Sequence, residues 1–322
     1  MNDELNQNPV LQNPNDSDQK NDESEKIKSN ISPIAAAFIG LIGGFFLYQF
    51  IGGLLSLLVF GFDLDKAPID GLRLMTMAGQ ILFILLPALI FSKLIYEDVG
   101  KIIRLRIPDW TEIILFVVGI GILTPLLQSY LYIQNYYIEV WATHSESINT
   151  LKSFFDSLNE LVDKTYGNLL RASGIPELLL VVLVVAVVPA VSEEVMFRGF
   201  IQRSFELKIR PFLAALFTAI FFSLYHFNPY GLIPLAVLGF YFGFAAYTSK
   251  TLLIPVLLHF LNNFTAVMLY FIIGSEELIK SDVSAKSGED LGFYTFVTIA
   301  LTIVFILLIV VIKKYYSQKQ LT

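Results

Sequence analysis

Apolar residues run almost unbroken through eight stretches of this chain, at roughly Pro33 to Phe60, Leu74 to Ile95, Glu112 to Ile133, Pro176 to Gly199, Pro211 to Phe227, Leu232 to Thr248, Leu252 to Ile273 and Phe293 to Ile312. A hydrocarbon layer about 30 Å thick is crossed by roughly 20 helical residues, and most of the stretches reach that length. The fifth and sixth are shorter and meet at Asn228-Pro229-Tyr230-Gly231, a turn cluster, so they predict a tight helical hairpin. Strands of a membrane barrel would alternate in polarity, whereas these runs are apolar all round, and helices satisfy their own backbone groups in lipid. The predicted fold class is therefore all-α, a polytopic membrane helical bundle of about eight transmembrane helices.

Between the third and fourth runs the pattern changes. Ile148, Leu151, Phe154, Phe155, Leu158, Leu161, Val162, Leu169 and Leu170 recur at spacings of mostly three or four, the mark of an amphipathic helix. Lys152, Asp156, Glu160, Asp163 and Lys164 lie between them and rule out a span. The simpler expectation is a helix lying in the headgroup plane; the sharper one is a lid or substrate guide over a site. Residues 1–31 are polar and poor in large apolar side chains, which predicts a disordered tail. Residues 32–315 form the membrane domain, with 134–175 as the amphipathic loop and 175–275 as the catalytic core, followed by a short tail from 316 to 322. No signal peptide is expected, so the first span stays as an anchor.

Composition adds little to class but much to exclusion. At 322 residues, 55% apolar and 16% charged, with a mean hydropathy of +0.65, the chain is expected to be a multi-pass protein of the cell membrane. It has no cysteine, which removes disulfides, thiolate metal sites and a cysteine nucleophile together. The net charge of −6 says little about partners, since seven of the acids lie in the polar head, and no basic stripe points to nucleic acid. If all eight runs cross, 15 of the 22 Lys and Arg fall on one side and 7 on the other, which places both termini in the cytoplasm. Trp110, Tyr130, Tyr132, Tyr136, Tyr137 and Trp141 flank the third span as interfacial anchors.

Polar groups inside the later spans are few: Glu193, Glu194, Arg198, His226, His259, Asn262 and Asn263. Charge at bilayer depth is costly and is a functional-site hypothesis by default. Residues four apart share a helix face, so Glu194 and Arg198 are expected to pair, which leaves Glu193, about 100° round, free to point elsewhere. Glu193 lies 15 residues before Lys208 and His226 lies 18 after it, a height difference of about 4.5 Å in an antiparallel hairpin. His259 and Asn263 come within roughly a turn or two of the same level. Pro189 and Pro255 each precede a polar group by four residues and are expected to bend their helices, either to shape the site or merely to pack.

A carboxylate in a low-dielectric site has its ionised form disfavoured and becomes an effective general base near neutrality. Glu193 can then take a proton from water held by His226, with His259 and Asn263 donating to an oxyanion on a carbonyl, which together describe hydrolysis of an acyl bond. Zinc is open, since Glu and His are suitable ligands, but it is not favoured: the helical H-E-x-x-H pattern is absent.

Glu193-Glu194-x-x-x-Arg198, then Phe222-x-x-x-His226, then His259-x-x-x-Asn263, each in a hydrophobic segment, resembles the CPBP family of intramembrane proteases. That family includes the CAAX prenyl endopeptidases and bacterial relatives linked to bacteriocin processing or self-immunity. The resemblance covers roughly residues 175 to 275. It implies an eight-helix bundle and a glutamate-dependent endopeptidase without metal, with Glu193 as base, His226 as its partner on the water, His259 and Asn263 as the oxyanion site, and Glu194 and Arg198 in support. The implied partners are membrane lipid and a peptide or protein substrate, lipid-modified substrates included. A catalytically silent scaffold or immunity protein of the same fold, a zinc-dependent protease and, more remotely, a proton-coupled transporter are the alternatives.

Overall fold

The computed structural model describes residues 27–62, 66–273 and 290–319. They form nine main helices: α1 (Pro33–Phe60), α2 (Ile69–Ile95), α3 (Trp110–His144), α4 (Glu146–Leu170), α5 (Ile175–Glu206), α6 (Pro211–Leu224), α7 (Leu232–Ser249), α8 (Leu253–Ile273) and α9 (Leu291–Lys319). All but α4 and α6 are long and apolar enough to cross a membrane. The fifth predicted crossing is α6, whose 14 residues cover only about 21 Å at 1.5 Å each. The C-terminal helix runs to Lys319, past the expected boundary at residue 315. Most of the predicted N-terminal tail lies outside the described residues; Asn30, near its end, donates to the carbonyls of Leu94 and Ile95.

Local signals account for the helix limits. Asp109 caps α3, accepting from the Glu112 amide while the Glu112 carboxylate accepts from the Asp109 amide, a reciprocal capping box. Ser145 ends α3 and caps α4. Pro255 sits in the first turn of α8, where its missing N–H breaks no helical bond, so the bend expected there does not arise. Pro189 follows a wide, π-type turn at Val182–Val187, and a second wide turn spans Val195–Ile201; the two flank the segment that carries Glu193 and Glu194.

The two ends of the bundle are built differently. At one, Arg104 pairs with Glu206, Arg106 reaches Glu112 and the Ser249 carbonyl, and Lys319 reaches Asp109, gathering the ends of α3, α5, α7 and α9. At the other, α4 runs from the end of α3 to the start of α2: Lys152 pairs with Glu139, the Tyr230 hydroxyl donates to Asp156, and Arg73 donates to the carbonyls of Leu169 and Arg171. Consecutive spans therefore alternate in direction.

Small residues bring α6 and α7 together. A Cβ on Gly243 would stand 2.9 Å from the Ala215 Cβ, and one on Gly239 would stand 3.0 Å from the Phe222 ring, so glycine is required for this approach. Outward, α9 shows Phe296, Ile299, Ile303, Ile306 and Val310, an apolar surface suited to lipid.

Candidate active site

Helix α5 supplies the charged centre. Its two adjacent glutamates point to different neighbours, as a 100° step round a helix requires. Glu194 is completely buried and accepts from Arg198 at 2.7 Å, one turn along the same helix, and from His259 Nδ1 at 2.8 Å. Arg198 is equally buried; it donates to the Gly239 carbonyl at 2.9 Å and lies over the Phe222 ring, 4.5 Å from its centroid. The missing Cβ of Gly239 makes room for that guanidinium, since a Cβ there would be 3.2 Å from it.

Glu193 is less enclosed. Its Oε1 accepts from Gln80 Nε2 at 3.1 Å and its Oε2 lies 4.0 Å from His259 Nε2, beyond hydrogen-bond reach. His259 is thus placed between the two glutamates, and its ring stacks on Phe242 with centroids 5.5 Å apart. A Glu194 carboxylate oxygen can only accept, so Nδ1 of His259 carries a proton and Nε2 is the nitrogen turned towards Glu193.

The remaining predicted residues come to the same place. His226 ends α6 and its Nδ1 is 2.8 Å from the Phe222 carbonyl; since a carbonyl only accepts, Nδ1 is the protonated nitrogen there and Nε2 can accept. The next residue, Phe227, takes a positive φ of 49°, which turns the chain sharply after the histidine. Asn263 donates to the Val185 carbonyl at 2.9 Å and accepts from Asn262 at 3.2 Å. Glu193, His226, His259, Asn262 and Asn263 all line one cavity of about 660 Å³. Glu194 and Arg198 stand behind its wall.

Gln80, on α2, lies outside the later spans whose polar groups the sequence pattern brings together. It is buried, it is the hydrogen-bond donor to Glu193, and its own Oε1 has no partner among the described residues. Its one sequence signal was an amide inside the apolar run from Leu74 to Ile95. Among the described residues, no three His, Asp or Glu side chains converge as a metal-ligand set.

Residues 175–265, which carry Glu193 through Asn263, match the Rce1-like family, type II CAAX prenyl endopeptidase Rce1-like. The similarity is to that family and covers under a third of the chain. No curated protein and no solved structure matches the chain. The matched segment sits in a chain with seven helices long and apolar enough to cross a membrane, and Gln80 and α4 lie outside it.

Proposed function

We propose that the protein is an intramembrane endopeptidase in which Glu193 acts as general base on water. The observation that carries this reading is the unequal treatment of two adjacent carboxylates. Glu194 is occupied by Arg198 and His259, whereas Glu193 faces the cavity with Gln80 as its one hydrogen-bond donor among the described residues. A water in the cavity gives one proton to Glu193 and directs its other towards His226 Nε2, so its lone pair is presented to the carbonyl carbon. The new C–O bond forms as the carbonyl electrons move to oxygen, and His259, as an imidazolium with a proton on each ring nitrogen, donates from Nε2 to that oxyanion together with the Asn263 amide. Glu193 then returns its proton to the departing amide nitrogen as the C–N bond breaks, leaving an amine and a carboxylic acid. Glu194 holds His259 in place and Arg198 balances Glu194, a positioning role like that of the aspartate in a catalytic triad.

The substrate is a peptide or protein segment, with or without a lipid attached, and no metal takes part. Both termini lie in the cytoplasm, on the basic side. The test is hydrolysis of candidate peptides by purified protein in detergent, wild type against Glu193→Ala and Glu193→Gln, with and without a chelator. Equal rates in all three proteins would remove the glutamate mechanism. Activity abolished by chelator and restored by zinc would replace it with the metal version.

A further inference from the structure

The cavity reaches from the middle of the bundle towards one end. On α2 it is walled by Thr76, Gln80 and Ile84, from the first half to just past the midpoint; on α7 by Leu235, Leu238 and Phe242, from near the start to the middle; on α8 by His259, Asn263 and Ala266, around and past the midpoint. From mid-bundle it extends towards the end where α4 crosses. In the opposite direction the interior is filled. Buried Arg198 is bonded to Gly239, Gln202 donates to the Gly243 carbonyl at 3.0 Å and to Glu206 at 2.9 Å, and Glu206 pairs with Arg104 at 3.1 Å.

The rim gives the direction of access. Among the described residues that line the cavity, Leu161 on α4 is 63% exposed and Phe227, after α6, is 52% exposed, and Thr165 on α4 is exposed as well. The mouth therefore lies between α4 and the turn that follows His226, away from Arg104, Arg106 and Lys319. That basic end is the cytoplasmic one by the charge rule.

We propose that the site is served from the non-cytoplasmic face, through the gap between α4 and the turn after His226, and that its substrate is an apolar segment of a protein exposed on that face. The word substrate rests on the peptidase reading; the side of access does not. The walls support an apolar occupant, since Leu158, Leu161, Leu169, Leu235 and Leu238 line the cavity and, among the described residues, no Lys or Arg does. A segment arriving from the cytoplasm would have to displace the buried Arg198 and Gln202 layer.

The absence of cysteine makes the test direct. Single cysteines are placed at Thr76 inside the cavity, at Leu161 and Phe227 on its rim, and at Lys208 in the basic turn, and intact cells are treated with a small, charged, membrane-impermeant thiol reagent. Thr76→Cys, Leu161→Cys and Phe227→Cys are expected to react from outside, and Lys208→Cys only after permeabilisation. The two rim variants keep the result readable if Thr76→Cys folds poorly, because their side chains are solvent-exposed. Protection of rim and cavity cysteines until the cells are opened, with Lys208→Cys reacting from outside, would overturn the proposal. A bulky maleimide on Leu161→Cys is further expected to slow peptide cleavage at least about ten-fold, as blocking a required path does, while the same adduct on Phe154→Cys, exposed and away from the cavity, has no effect. Equal slowing by both adducts would overturn the path under α4. Labelling does not depend on hydrolysis, so failure of the peptidase reading shows separately, as equal rates in wild type and Glu193→Gln.

Discussion

Two glutamates in this bundle are both enclosed by helices, and the contrast between them separates structure from chemistry. Glu112, at the basic end, is fully buried and accepts from Arg106 at 2.7 Å, from the Asp109 amide at 2.9 Å and from Tyr316 at 2.8 Å, with Lys319 at 3.2 Å. Glu193, at the cavity end, accepts from Gln80 at 3.1 Å, and its other oxygen lies 4.0 Å from His259. A carboxylate with its lone pairs filled by donors and two cations nearby is locked in one state. One that keeps lone pairs open towards a cavity can exchange a proton. The same residue type is a tie in the first place and, in the proposed mechanism, a base in the second.

The largest effect that tests this contrast is on rate. Glu193→Gln keeps the shape and removes the base, and the peptidase rate is expected to fall about 1,000-fold, within the range typical of a general base, with no loss of thermal stability. A variant that stays fully active ends the distinction. Glu112→Gln should do the reverse. It leaves Arg106 and Lys319 without their shared carboxylate and is expected to cost about 2 kcal/mol, less than the 3–5 of a fully buried pair because both cations reach solvent. Thermal melting in detergent reads the loss, and the turnover of the protein that remains folded should match wild type. A fall in turnover without a fall in melting temperature would place Glu112 on the wrong side of the comparison.

Gln80 sharpens the middle of the range. Gln80→Met preserves volume and removes the one hydrogen bond to Glu193, so kcat is expected to drop about 10- to 50-fold, the value of a bond to a charged group, with KM within about two-fold. In the Glu193→Gln background the same change should add almost nothing, since both act on one proton transfer. Additive losses would reduce Gln80 to packing.

The sequence made the helices and the charged centre legible because both are written in local pattern. Apolar runs of span length, the i, i+4 relation of Glu194 and Arg198, and the depth count that levels Glu193 with His226 need no tertiary information. Three features escaped it for one reason, which is that each depends on two helices at once. Gln80 reaches Glu193 across 113 residues, Arg73 holds the end of α4 across nearly as many, and the fate of α4 depends on which helices it crosses. Pro255 does not bend α8 as its position in the apolar run suggests, because its effect turns on where α8 begins, and helix starts are poorly marked in an unbroken apolar run.

The smallest effect belongs to the rim of the basic end, where Asp109 joins α3 to α9. Lys319 donates to its carboxylate at 2.6 Å, and the Glu112 amide and the Tyr315 hydroxyl add to it. Chiefly through Lys319, the carboxyl is held down at about 2, from an ordinary 3.8. Asn caps a helix as well as Asp does, so Asp109→Asn removes the charge and keeps the cap. A group held low in the folded state contributes stability that is complete above its unfolded value and disappears as pH falls through its folded one. The gap in melting temperature between wild type and Asp109→Asn should therefore be constant from neutrality down to about pH 5 and narrow steadily below about pH 4. Its size should stay under about 1 kcal/mol, because the pair is half-exposed and screened, and it should shrink further in high salt. A gap independent of both pH and salt would mean that the Asp109 charge adds nothing to the joint between α3 and α9, and the basic end would then owe less to its ion pairs than Glu112 suggests.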